Sequence, residues 1–118
     1  MGNRPPLRSA WLVSEGRVLA SADVADTARA RRIGLLGKTT TETALVLEPC
    51  SWVHTLGMRF ALDVAYVDGN GVVLKVSRLE PWRVGAPVRG SKFVVEAASG
   101  SFERWGLRVG SPIEVRSS

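Results

Sequence analysis

Cys50 and His54 are the sole cysteine and the sole histidine of the chain, and they stand four residues apart. A thiol beside an imidazole is the raw material of nucleophilic catalysis, and the same two side chains make half of a metal site. On a helix, positions four apart lie roughly 6 Å from each other, whereas on a strand they sit about 13 Å apart on one face. Pro49 and the residues after it read as extended, so a direct dyad forms only if the chain turns at Ser51-Trp52. The preferred reading makes Cys50 a small buried hydrophobe and His54 a hydrogen-bonded strand residue. Zinc would need two further ligands, available only as carboxylates such as Asp63 or Glu96, so no metal set and no catalytic residue is assigned.

Met58 and Arg59 lead to Asp63, a carboxylate at the start of an apolar strand. Burying it unpaired would cost several kcal/mol, so it must accept backbone amides or pair with an arginine such as Arg32 or Arg59. Arg31 and Arg32 carry planar guanidinium forks suited to a carboxylate or phosphate ligand, or they line a solvated helix face. Trp52 and Trp82 either cap the core or mark a shallow groove. The candidate binding residues are therefore Cys50, His54, Met58, Arg59, Asp63 and Arg32, around a groove near residues 50–63.

These residues need elements to position them. Trp11 to Val13 and Arg17 to Ala20 flank Ser14-Glu15-Gly16, which predicts a hairpin with a three-residue loop. Asp23 to Leu36 has helical spacing of Val24, Ala25, Ala28, Leu35 and Leu36, with Asp23 as its cap and Gly37 as its stop. Ala44 to Leu47 predicts a strand ended by Pro49. Leu62 to Val67 and Val72 to Val76, joined by Asp68-Gly69-Asn70-Gly71, form the strongest hairpin signal. Phe93 to Ala97 is another strand, Ser101 to Trp105 a helical turn capped by Ser101, and Pro112 to Val115 a final strand. Local hairpins without regular strand-helix alternation predict a mostly β (α+β) fold: a small curled antiparallel or mixed sheet, or a barrel-like domain, with one helix and a short helical turn.

The 118 residues suit one domain, with residues 1–10 as a flexible leader around Pro5-Pro6 and residues 11–118 as the globular part. A hydrophobic share of 45% with 23% charged residues is that of an ordinary globular chain, neither disordered nor membrane-embedded. One cysteine excludes an internal disulfide framework. Arg4, Arg8, Glu15 and Arg17 interrupt any secretion signal, and no apolar segment reaches the length of a membrane span, so the expected location is cytoplasmic. The formal charge is +5, but the basic residues are scattered, whereas phosphate binding needs several cations on one face; no nucleic-acid partner is expected.

Three stretches together resemble the domain of unknown function 192 family. They are Ala30 to Gly37 (Ala-Arg-Arg-Ile-Gly-Leu-Leu-Gly), Val53 to Val64 continuing into Asp68-Gly69-Asn70-Gly71-Val72-Val73, and Val94 to Gly100 followed by Trp105 to Gly110. Cys50 followed by His54-Thr55-Leu56-Gly57-Met58 is similar to one subgroup, while Ala61 stands where many members have proline. The resemblance implies a mostly β single domain and carries no activity, cofactor or substrate with it. From the residues, the expected role is a noncatalytic binding or accessory module for a small-molecule or protein ligand, without cofactor and with its oligomeric state open. The alternative is a small hydrolase- or transferase-type enzyme using Cys50 or His54.

Overall fold

A computed structural model of the chain describes residues 7–33, 43–55 and 58–118, with Arg29, Arg32 and Ile33 described by their backbone alone. The expected helix end at Leu36-Gly37 lies outside the described residues, as do Leu56 and Gly57.

Strands β1 (Arg8–Ser14) and β2 (Arg17–Ala25) form the first antiparallel hairpin. Its loop has two residues rather than three: Glu15 and Gly16 take φ of 53° and 78°, the left-handed pair whose twist matches that of paired strands. β1 begins at Arg8, inside the stretch expected to be a leader, because Arg8, Ser9 and Ala10 pair with Val24, Asp23 and Ala22. That pairing also moves the helix. Asp23 and Val24 are held as strand between β1 and the parallel strand β3 (Ala44–Leu47), Ala25 continues on β3, and helix α1 (Ala28–Ile33) begins only at Ala28. Its cap is Thr27, whose Oγ1 accepts the Ala30 amide at 3.1 Å, and not Asp23.

Strands β4 (Leu62–Val67) and β5 (Val73–Leu79) form the expected second hairpin. Asp68 builds its turn, its Oδ1 accepting the amides of Asn70 and Val72 at 2.9 Å each. Strand β6 (Phe93–Ala98) and helix α2 (Ser101–Trp105) follow. Strand β7 (Glu114–Ser117) sits two residues later than expected because its register on β1 pairs Glu114 with Val13 and Ser117 with Ala10.

The seven strands make one mixed sheet in the order β5-β4-β6-β3-β2-β1-β7, in which β2 and β3 are the parallel neighbours. Side-chain alternation splits the core between its two faces. Leu12, Val24, Val46, Ala65, Val67, Val95 and the α2 residue Phe102 fill one side. Leu45, Leu47, Leu62, Val64, Tyr66, Val94 and the α1 residue Ala30 fill the other. The sheet curls until its edges touch over a short stretch around the Val72-Pro112 bridge, where the Ile113 amide donates to the Gly71 carbonyl at 2.7 Å, the Val73 amide to the Ser111 carbonyl at 3.0 Å and the Gly110 amide to the Val73 carbonyl at 2.8 Å. β5 and β7 are not otherwise paired, so the sheet does not close into a barrel. Among the described residues no helix is long and apolar enough to cross a membrane.

Candidate functional site

The segment after β3 runs extended, as its sequence predicts. Cys50 donates its amide to the Lys92 carbonyl at 3.0 Å, and residues 51–55 pair with residues 82–88 as a short ribbon centred on the His54-Val84 bridge. Alternation turns Val53 and Thr55 inward and leaves Trp52 and His54 exposed, with their rings 5.5 Å apart and tilted by 59°. Thr55 holds the ribbon together. Its buried hydroxyl donates to the Glu80 carbonyl at 2.6 Å and accepts the Arg83 amide at 2.8 Å, while its carbonyl accepts the Trp82 amide at 2.9 Å. Trp82, at φ 63°, is thereby held in a left-handed conformation unusual for an aromatic residue, with its side chain exposed.

Between this ribbon, α1 and the sheet lies a pocket of about 260 Å³ lined by Ala28, Arg31, Cys50, Trp52, Val53, His54 and Glu96. Glu96 supplies the buried acid. It pairs with Leu45 and Val64, and so shares the face of Val94 and Tyr66. It is only 5% exposed, and burial pushes its carboxyl up to about 8. Among the described residues no cation forms an ion pair with it. Arg31 reaches the pocket from α1 and is steadied by a 3.0 Å hydrogen bond to the Glu48 carbonyl. Burial pushes the Cys50 thiol up, the Trp52 backbone and Arg31 pulling against it and Glu96 reinforcing it; its Sγ donates to the Trp52 carbonyl at 3.1 Å. Tyr66 is pushed up too, first by burial and then by Cys50 and Glu96; the strand register sets it diagonally from Glu96 on the same face.

The structure thus brings Cys50 and His54 into one pocket and places Met58, Arg59 and Asp63 elsewhere. Met58 is buried in the apolar core of the same face, and Arg59 is exposed. The Arg32 side chain lies outside the described residues, so its expected pairing with Asp63 does too. Asp63 belongs to the opposite face. Its Oδ2 accepts the amides of Gly100 and Phe102 at 2.9 and 3.0 Å and so caps α2 from a distant strand. Ser101 is therefore not the cap; Gly100 holds that position at φ 94° without a side-chain bond. Asp63 also borders a second hollow of about 380 Å³ with Ser77, Arg78, Gly100 and Phe102. Among the described residues, no three His, Cys, Asp or Glu side chains gather as a metal would require. Sequence reasoning named Glu96 only as a spare zinc ligand; the signal for more was there, since a lone carboxylate interrupts the apolar run Phe93-Val94-Val95-Glu96-Ala97.

A curled mixed sheet, with a polar-floored pocket between one helix and a short ribbon, defines the class of this small domain. The profile of the domain of unknown function 192 family, described as Uncharacterized ACR, matches residues 10–115, and the chain belongs to that family. A UPF0127 protein of Pyrococcus furiosus is 39% identical over 62 residues, covering 52% of this chain and 53% of that protein. A UPF0127 protein of Pyrococcus abyssi is 31% identical over the same shares. The match spans about half the length of these curated relatives. Two solved structures share the fold. A protein of unknown function from Novosphingobium aromaticivorans has a TM-score of 0.76 at 18% identity over 92% of this chain and 84% of its own. A putative transcription regulator from Sinorhizobium meliloti has a TM-score of 0.77 at 15% identity over 98% of each chain.

Proposed function

We propose that the protein is a noncatalytic binding module whose ligand, a small polar molecule, sits between α1 and the ribbon of residues 50–55. The observation that carries this reading is Glu96, a desolvated carboxyl at a pocket also lined by Arg31, Trp52 and His54. Burying an acid without a cation is expensive, and a ligand that answers it recovers that expense on binding. The pocket is smaller than those that enclose drug-sized ligands, roughly 300 to 1,000 Å³, which favours a compact molecule.

The enzymatic alternative draws on Cys50 and His54 sharing that pocket. A thiol pushed up by burial is held protonated at neutral pH, the opposite of an activated nucleophile, so binding is the better-supported role. Nuclear magnetic resonance with a library of small amines, carboxylates, amides and polyols tests the reading. Ligands should shift the Trp52 indole and the Val53 and Glu96 amides together. Shifts confined to the hollow beside Asp63 and Phe102, or none with any compound, would overturn it.

A further inference from the structure

The pocket sets a guanidinium and an acid on different elements, Arg31 on α1 and the buried carboxyl of Glu96 on β6, and they do not form an ion pair with each other. Arg31 spends one donor on the Glu48 carbonyl, while its fork has five N–H groups in all. Ala28, Val53 and Trp52 add apolar lining, and Cys50 and His54 complete the wall. A ligand filling this space must offer an acceptor at one end, a strong donor at the other, and little bulk.

We infer that the pocket takes a small zwitterion, an amino acid or a molecule with the same head group, with its ammonium on Glu96 and its carboxylate on Arg31. This deepens the binding reading above and rests on it. A lone anion would meet Arg31 but leave Glu96 buried and unanswered, and a lone amine would do the reverse. A zwitterion answers both, and a planar guanidinium is suited to a carboxylate.

Proton linkage gives the inference a second readout. Glu96 faces Arg31 from α1, Cys50 and His54 from the ribbon, and Tyr66 from β4. An ammonium requires the ionised carboxylate, so binding expels the proton that Glu96 holds below its midpoint. Affinity should rise by roughly tenfold per pH unit between pH 6 and 7.5. The slope is assigned to Glu96 by its loss in Glu96→Gln.

The experiment is a resonance titration of the wild type, Glu96→Gln and Arg31→Lys with L-alanine, ethylamine and propionate, with thermal denaturation confirming that each variant is folded. L-alanine should bind the wild type at least tenfold more tightly than either half-molecule. Glu96→Gln should lose at least tenfold and flatten the pH slope, and Arg31→Lys should weaken L-alanine and propionate but not ethylamine. Propionate or ethylamine binding as well as L-alanine would overturn the zwitterion. So would silence toward L-alanine while another compound class shifts Trp52 and Glu96, a result that leaves the binding reading standing. Silence toward every class overturns both.

Discussion

Glu96 is the one charged residue of β6, and its burial makes it a liability to the folded state as pH rises. In the unfolded chain its carboxyl ionises near 4.5, while in the fold it holds its proton up to about 8. Between those values the native state binds more protons than the unfolded state, so stability falls with increasing pH across that window. Integrated over it, the loss is roughly 5 kcal/mol as an upper figure. The melting temperature of the wild type should therefore drop between pH 5 and pH 8, and Glu96→Gln should flatten that dependence; parallel curves would refute a desolvated acid. Asp63 behaves differently because backbone amides answer it. Asp63→Ala leaves the Gly100 and Phe102 amides without their acceptor and should cost about 2 to 4 kcal/mol. Asp63→Asn keeps an acceptor oxygen and should cost about 1 kcal/mol, so chemical denaturation of the pair separates a capping role from a purely electrostatic one.

The elements legible in the sequence were those specified by neighbours along the chain. Both hairpins announce themselves by alternation around turn residues, and β3 and α2 lie where their local patterns predict. The start of α1 was not legible, because Asp23 to Ala25 fall in the stretch with helical spacing yet are claimed by β3, and Asp23 and Val24 by β1 as well, a tertiary preference that outweighs propensity. The cap of α2 was hidden for the same reason, since its acceptor, Asp63, is 39 residues from the Phe102 amide it serves. The pocket was half legible: Cys50 and His54 stood out as unique residues, whereas strand pairing alone puts Glu96 behind them and Asp63 on the other face. The point where the sheet edges meet makes its own prediction. A Cβ on Gly71 would lie 2.7 Å from the Ile113 carbonyl oxygen at φ +81°, whereas one on Gly16, at φ +78°, would touch nothing within 4 Å. Gly16→Ala should cost about 1 kcal/mol for its backbone alone, and Gly71→Ala distinctly more, up to about 3 kcal/mol. Equal melting temperatures for the two variants would mean that the edges do not meet there.

Across the molecule, the two faces of the sheet divide the work, one enclosing the larger apolar cluster under α2 and the other carrying α1, the ribbon and the pocket. The surplus positive charge is spread rather than focused, and part of it is answered locally by the pairs Arg8-Asp26, Arg78-Glu80 and Arg116-Glu114. Binding to duplex DNA should therefore be weak and vanish at moderate salt; submicromolar affinity persisting at physiological salt would contradict a dispersed charge. The pocket's role depends on the state of one carboxyl, and that state is directly observable by carbon-13 resonance of the Glu96 side chain during a pH titration, without and with L-alanine. The free protein should titrate with a midpoint near 8, and saturation should draw that midpoint downward as the ammonium stabilises the carboxylate. A midpoint in the ordinary glutamate range, unmoved by L-alanine, would contradict both the buried acid and the proposed zwitterionic ligand.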